Sequence, residues 1–194
     1  WGNYFDPILE KNGKIIKTEG YINDVITNEA ISFIKKSNKP FLSFISYNTP
    51  HSPMQVPDKY FDGKDILLRG RYSKRENIEK TKAAMGMIEN IDENIGNVVR
   101  LLKEKGVYEN TIIIFFSDNG PNGNRWNNDL KDRKGSTNEG GVRVPFFIQW
   151  PKNIKKGLKI KQISSVLDVF PTLLELTGNE SLNDLDGISL KRFL

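Results

Sequence analysis

Three short stretches hold the side chains best suited to chemistry. In "IIIFFSDNGPNG" (112–123) an apolar run stops at Asp118 and Asn119, then turns on Gly120-Pro121. A carboxylate beside an amide carbonyl is hard-oxygen chemistry, suited to calcium or magnesium and not to zinc. Successive strand residues point to opposite faces, so the two can share an ion only if the strand ends there. Gly120-Pro121 supplies that break. Alone, Asp-Asn-Gly is more often a plain turn; its place directly after a buried run is what raises the metal reading.

In "YNTPHSP" (47–53) stands His51, the only histidine, between Pro50 and Pro53, which stiffen its backbone. A histidine at the carboxyl end of a strand can act as a general acid or an oxyanion donor. An ordinary loop histidine is the plainer reading. In "DRKGSTNEGGVRVP" (132–145), Lys134 before Gly135 can set an ammonium against an anionic group. Most lysines, however, are simply solvated. Glu139 and Arg143 read as a structural ion pair or loop hydrogen bonds. Residues 119–143 have almost no apolar period, and irregular loops beyond about 12–15 residues are usually functional or disordered.

The elements that must position these residues follow from periodicity. Asn12-Gly13 is a hairpin turn signal. A helix starts near Asn23 as N-cap, with Ile26, Ala30, Phe33 and Ile34 on one face, and ends at Asn38 and Pro40. "PFLSFISYNT" (40–49) alternates as a strand should. Residues 50–75 are polar and broken by proline and glycine, a long surface excursion. Ala84, Ile88, Ile91, Ile95, Val98 and Leu102 make one helical stripe, closed by Lys103, Lys105 and Gly106. "NTIIIFFS" (110–117) reads as a strand buried on both faces, and "VPFFIQW" (144–150) as another. Asp168 caps a last short helix, with Pro171 in its first turn and Gly178 as its stop. Helix–strand alternation predicts an α/β fold with a mixed, mostly parallel sheet flanked by helices. Ligands then sit beyond the carboxyl ends of strands. No internal repeat or low-complexity segment occurs, and no linker divides the chain.

The 194 residues suffice for one domain with a sizeable core. With 37% hydrophobic and 27% charged residues, the composition is globular. The net charge of +5 is a mild excess, able to favour anionic substrates but not a nucleic-acid signature. Lysines at 152, 155, 156, 159 and 161 form the densest basic stretch, read as a solvated loop face. No apolar run approaches the roughly 20 residues of a membrane helix. With no cysteine in the chain, disulfides, zinc–thiolate sites and a cysteine nucleophile are excluded for these residues. No G-x-S-x-G, P-loop or G-x-G-x-x-G occurs, and no second histidine for H-E-x-x-H.

Taken together, "GYINDVITNEAISFI", "KPFLSFISYNTPHSPMQVPDKYFD", "AAMGMIENIDENIGNVVRLLKEKGVYENTIIIFFSDNG", "KGSTNEGGVRVPFFIQWP", "SVLDVFPTLLELTG" and "LDGISL" strongly resemble the type I, formylglycine-dependent sulfatases of the alkaline-phosphatase-like superfamily. The resemblance runs from about Gly20 to Leu190. It implies that Asp118 and Asn119 are a pair of ligands to an active-site calcium. It implies that His51 contacts the sulfate and its leaving oxygen, and that Lys134 also binds the sulfate. The implied reaction is hydrolysis of a sulfuric ester, an aryl sulfate or a sulfated carbohydrate, by attack of a formylglycine hydrate on sulfur. Residues 55–75 and 121–132, with Arg125 and Trp126, are candidates to line the substrate pocket.

The family makes its formylglycine from Cys or Ser in a C/S-x-P-x-R motif, and no such motif or first acidic metal pair occurs here. The nucleophile is therefore expected upstream. Residues 1–194 are expected to be the later part of the large catalytic domain, incomplete and inactive alone. The resemblance also implies a periplasmic or secreted protein, with no nucleic-acid partner and no membrane span. Two alternatives stand beside this reading. One is a phosphodiesterase or phosphonate hydrolase of the same superfamily; the other is a non-catalytic anion- or carbohydrate-binding relative.

Overall fold

Asn12 and Gly13 take positive φ of 52° and 79°, the backbone a tight hairpin requires, and join β1 (Ile8–Lys11) to β2 (Lys14–Lys17) in an antiparallel pair. The computed structural model describes residues 3–63, 65, 73–179 and 184–194. These group into two units. The first comprises Trp1–Tyr108 and Ile114–Phe147, and the second Glu109–Ile113 and Ile148–Leu194.

The first unit is organised by α1 (Ile22–Lys36) and α3 (Ile78–Glu104), which pack on one another, with the single turn α2 (Asp58–Phe61) against α3. Asn23 is not the N-cap of α1. That position is Tyr21, and Asn23 lies in the first turn, fully buried. Its amide is used across the interface instead of on its own helix end. The stripe expected on α3 is also rotated. Ala84, Ile91 and Leu102 are buried, but Ile88 is 52% exposed, while Asn90 and Asn94 face inward. The helix ends as predicted, with Gly106 at φ 70° and the Val107 amide donating to Leu102 O.

Tyr4, Tyr21, Ile22 and Met87 form the core cluster, with Phe5, Leu9, Ile26, Met54 and Val56 packed on it. It joins the hairpin base, both long helices and the chain just after His51. At the other end of α3, Asn77 caps the helix by accepting from the Lys80 amide at 2.9 Å. Asn77→Ala is expected to cost about 1 kcal/mol of stability. Denaturant unfolding of the chain checks this, and an unchanged midpoint would mean the cap is idle.

The strands depart from the expected sheet. Residues 40–49 are extended, and exposure alternates along them, yet no ladder partner is assigned; Leu42 and Phe44 are 78% and 81% exposed. Alternation specifies an extended chain, but a strand needs a neighbour, and among the described residues none lies alongside. β3 (Ile113–Phe116) pairs with β4 (Phe146–Gln149) in a second two-stranded sheet. Phe115 stacks on Phe147, Phe116 on Phe146, and the Ser117 amide donates to Pro145 O. As one strand advances the other recedes, the antiparallel sense. β3 is half-buried throughout and not enclosed on both faces, and it has one neighbouring strand. The α/β character holds; among the described residues no larger parallel sheet is present.

The second unit is built on α5 (Val169–Leu176). Ser165 and Asp168 form a reciprocal capping box at the turn that leads into it, and the buried Asp168 carboxylate also accepts from the Ile188 amide at 2.8 Å. Pro171 sits in the first turn and Gly178, at φ 79°, follows the end, as the sequence predicts.

Candidate active site

Asp118 and Asn119 follow β3 directly. Asp118 is exposed and has no described hydrogen bond or ion pair. The Asn119 amide nitrogen donates to Gly120 O at 3.0 Å, which leaves its side-chain oxygen as a free-standing acceptor. The strand therefore ends in two side-chain oxygens that the fold does not consume. They match a hard cation in kind. Calcium takes about six to eight oxygens, so this pair is part of a ligand set. Among the described residues no group of three or more His, Cys, Asp or Glu is arranged to hold a metal.

What fixes the pair is glycine. The Gly120 amide donates to Gly141 O at 2.8 Å, and a Cβ on Gly120 would lie 1.9 Å from Gly140 O. Gly140 and Gly141 open the short helix α4 (Glu139–Val142), and Cβ atoms there would meet Asp132 O at 2.0 Å and Ser136 O at 2.1 Å. Three backbone segments are thus in contact at distances no side chain permits. Gly120→Ala is expected to force the turn off α4, at a cost of about 1–3 kcal/mol. For a chain of this size that lowers the thermal midpoint by about 2–4 °C per kcal/mol. A midpoint equal to wild type would refute the close approach.

Lys134 arrives on the same scaffold. Its amide donates to Pro121 O at 3.1 Å, tying its loop to the turn just beyond Asn119. Its side chain is exposed with no described partner. The loop is ordered by its own polar residues. Asp132 accepts from Asn138 and from Ser136, Asn127 donates to Asp132 O at 2.9 Å, and Arg133 donates to Asn124 at 2.6 Å. Glu139 and Arg143 form an exposed ion pair at 3.1 Å, the structural role expected of them.

His51 sits on a separate loop, in the same unit, that is held from below. The Tyr4 hydroxyl lies 3.1–3.3 Å from the carbonyls of Asn48, His51 and Ser52 and shares its one proton among them. The Tyr21 hydroxyl donates to Gln55 O at 2.9 Å, and burial pushes its pKa far above the ordinary phenol value. The His51 Nδ1 is 2.9 Å from Ser52 O. A carbonyl there calls for a proton on Nδ1. The Nε2 can then donate only when the ring is doubly protonated.

Sequence reasoning missed the residues that brace this loop. Asn23 donates to Thr49 Oγ1 at 2.7 Å and to Asn90 Oδ1 at 2.9 Å. Asn90 and Asn94 both donate to Asp24, at 2.8 and 2.7 Å. Thr49, two residues before His51, is therefore pinned to both long helices. The signal was present as two amides, four apart, interrupting an apolar helix face. The Arg125 guanidinium donates to Asn122 O at 2.6 Å and Lys80 O at 3.1 Å, clamping its loop to the start of α3. Burial lowers its pKa, with Glu76 partly offsetting this. Trp126 is 50% exposed. The parts of the 55–75 candidate segment at 64 and 66–72 lie outside the described residues.

The sequence matches the family model Sulfatase over residues 2–179. The chain belongs to the sulfatase family. It is 34% identical to an arylsulfatase of Clostridium perfringens, a match covering 94% of this chain and 45% of that protein. A crystal structure of Ps i-CgsB in complex with k-i-k-neocarrahexaose superposes with a TM-score of 0.82 at 34% identity, over 95% of this chain and 40% of that one. A phosphonate monoester hydrolase of Agrobacterium radiobacter shares the fold, with a TM-score of 0.70 at 22% identity over 89% of this chain and 42% of that one. The chain thus spans less than half the length of these relatives.

Proposed function

We propose that this chain is part of a sulfuric ester hydrolase acting on a sulfated carbohydrate or an aryl sulfate. The observation that carries it is the unconsumed Asp118–Asn119 oxygen pair, its carboxylate exposed, fastened through Gly120 and Pro121 to the loop that presents Lys134. The match to the sulfatase family supports this reading, and the k-i-k-neocarrahexaose in complex with one structural relative favours a carbohydrate substrate. The same reading carries the expectation of a mixed, mostly parallel alkaline-phosphatase-like sheet, with the formylglycine nucleophile and further metal ligands supplied outside these residues.

Asp118 and Asn119 would hold one calcium ion, which supplies electrostatic stabilisation of sulfate oxygens. Lys134 adds an ammonium to the same task, useful where charge redistributes in the transition state. His51, with Nδ1 on Ser52 O, would give the proton on Nε2 to the leaving oxygen from its doubly protonated form. General acids of this kind contribute about 10²–10⁴-fold.

The test is hydrolysis by the protein with its proposed nucleophile region in place. A chromogenic aryl sulfate and a sulfated oligosaccharide are assayed beside a phosphonate monoester and a phosphodiester. Sulfate release in clear excess over phosphorus substrates supports the reading. Preference for the phosphorus esters would transfer it to the phosphonate hydrolase alternative. Binding without turnover of any of the four would favour the non-catalytic one.

A further inference from the structure

Removing Lys152, Lys155, Lys156, Lys159 and Lys161 from the count leaves 24 basic residues against 24 acidic, so these five carry the whole net charge of +5. No acidic residue lies between Glu139 and Asp168. In the second unit all five lysines are exposed, on turns and irregular backbone that form neither helix nor strand. Among the described residues none of their ammonium groups has an ion-pair partner. Only some lysines elsewhere are paired, Lys11 with Glu29, Lys59 with Glu93 and Lys191 with Glu175, so what sets the five apart is their clustering in a stretch without a single acid.

Successive lysines of the five are at most three residues apart, a chain span of at most about 10 Å, close to the Debye length of ~8 Å at physiological salt, so their repulsion is only partly screened. A polyanion laid along them removes that repulsion and releases its own condensed counterions. We propose that residues 152–161 form a polyanion-binding surface, and that its ligand is a stretch of sulfated polysaccharide. This goes beyond the solvated-face reading of the same lysines.

The chemistry of the segment selects among polyanions. No aromatic residue occurs between Trp150 and Phe170, so there is no platform on which bases could stack. The segment has lysines and no arginine, so it lacks the planar fork that reads phosphates and base edges bidentately. It is not helical, and so has no amphipathic face to lie in a bilayer surface. Point charges on an irregular, non-helical backbone suit a chain of repeated sulfate groups, met as charges. The choice of a sulfated glycan rests on the proposed function; the charge argument stands without it.

The test uses the chain as it is and needs no turnover, so its failure is separate from failure of the hydrolytic reading. Wild type is applied to immobilised heparin and eluted with salt, and its Kd for free heparin is measured at several salt concentrations. The variant Lys155→Gln/Lys156→Gln/Lys159→Gln is compared with Lys14→Gln/Lys17→Gln/Lys39→Gln, three exposed lysines of the first unit with the same charge change. The first variant is expected to elute at clearly lower salt, to bind at least tenfold more weakly, and to lose about two from the slope of log Kd against log salt. The second is expected to stay close to wild type. Equal losses in both variants would show that only net charge matters and overturn the proposal. So would failure of wild type to bind, or binding to duplex DNA or to phosphatidylserine vesicles as tight as to heparin. Thermal midpoints of both variants confirm that neither result reflects unfolding.

Discussion

Asp118→Ala, in the protein with its proposed nucleophile region in place, is expected to reduce sulfate ester hydrolysis by at least about 10²-fold, since metal ions supply several kcal/mol of charge stabilisation and each ~1.4 kcal/mol is tenfold in rate. The carboxylate is the anionic half of the oxygen pair, and it is exposed with no described protein partner. Its removal therefore breaks no protein contact, and the loss should fall on activity and calcium binding with the thermal midpoint of the calcium-free protein unchanged. Isothermal titration with calcium separates the two. Weak calcium binding with partial rescue at high calcium supports the ligand role. Hydrolysis near the wild-type rate would sink the metal assignment, and a large drop in the calcium-free midpoint would make Asp118 structural.

Asn90→Leu is expected to destabilise the chain by about 1–3 kcal/mol, although it adds an apolar side chain to a buried helix face. Asn90 is fully buried, accepts from Asn23, and donates to Asp24 at 2.8 Å and toward the Tyr60 hydroxyl at 3.4 Å. Leucine would fill the volume but leave one Asn23 amide hydrogen without an acceptor, beside an Asn23 oxygen that already lacks a partner. Asp24 would keep Asn94 at 2.7 Å, so the cost is that of stranding one group and not of losing the whole network. Ile88→Ala is the contrasting variant. Simple periodicity puts Ile88 in the core, yet at 52% exposure it should cost below about 1 kcal/mol. Denaturant unfolding of both chains decides between them. Ile88→Ala more damaging than Asn90→Leu would mean the face of α3 has been assigned wrongly.

The elements legible in the sequence are those specified by their own residues. Asn12-Gly13 made its hairpin because those two tolerate positive φ. Gly106 and Gly178 ended helices for the same reason. Asp168 stands at the N-cap position of α5 as expected, but its carboxylate accepts from the Ser165 and Ile188 amides and not from the helix. Asp118-Asn119 ended a strand because Gly120-Pro121 follows. The family was legible too, because several separate motifs occur in order along the chain.

The tertiary structure decided whatever depends on a distant neighbour. Periodicity shows that α3 has a buried side, but not which of two adjacent stripes meets α1. Asn23, 67 positions away from Asn90 in sequence, draws amides into the interface. A second bond from the same amide, to Thr49, turned an apparent N-cap into the brace of the histidine loop. Residues 40–49 carry a strand pattern and no strand, because a ladder takes a second chain segment to donate and accept. Gly120, Gly140 and Gly141 look in sequence like flexible loop residues. Their role is close contact of three backbones, which side-chain volume permits only at glycine.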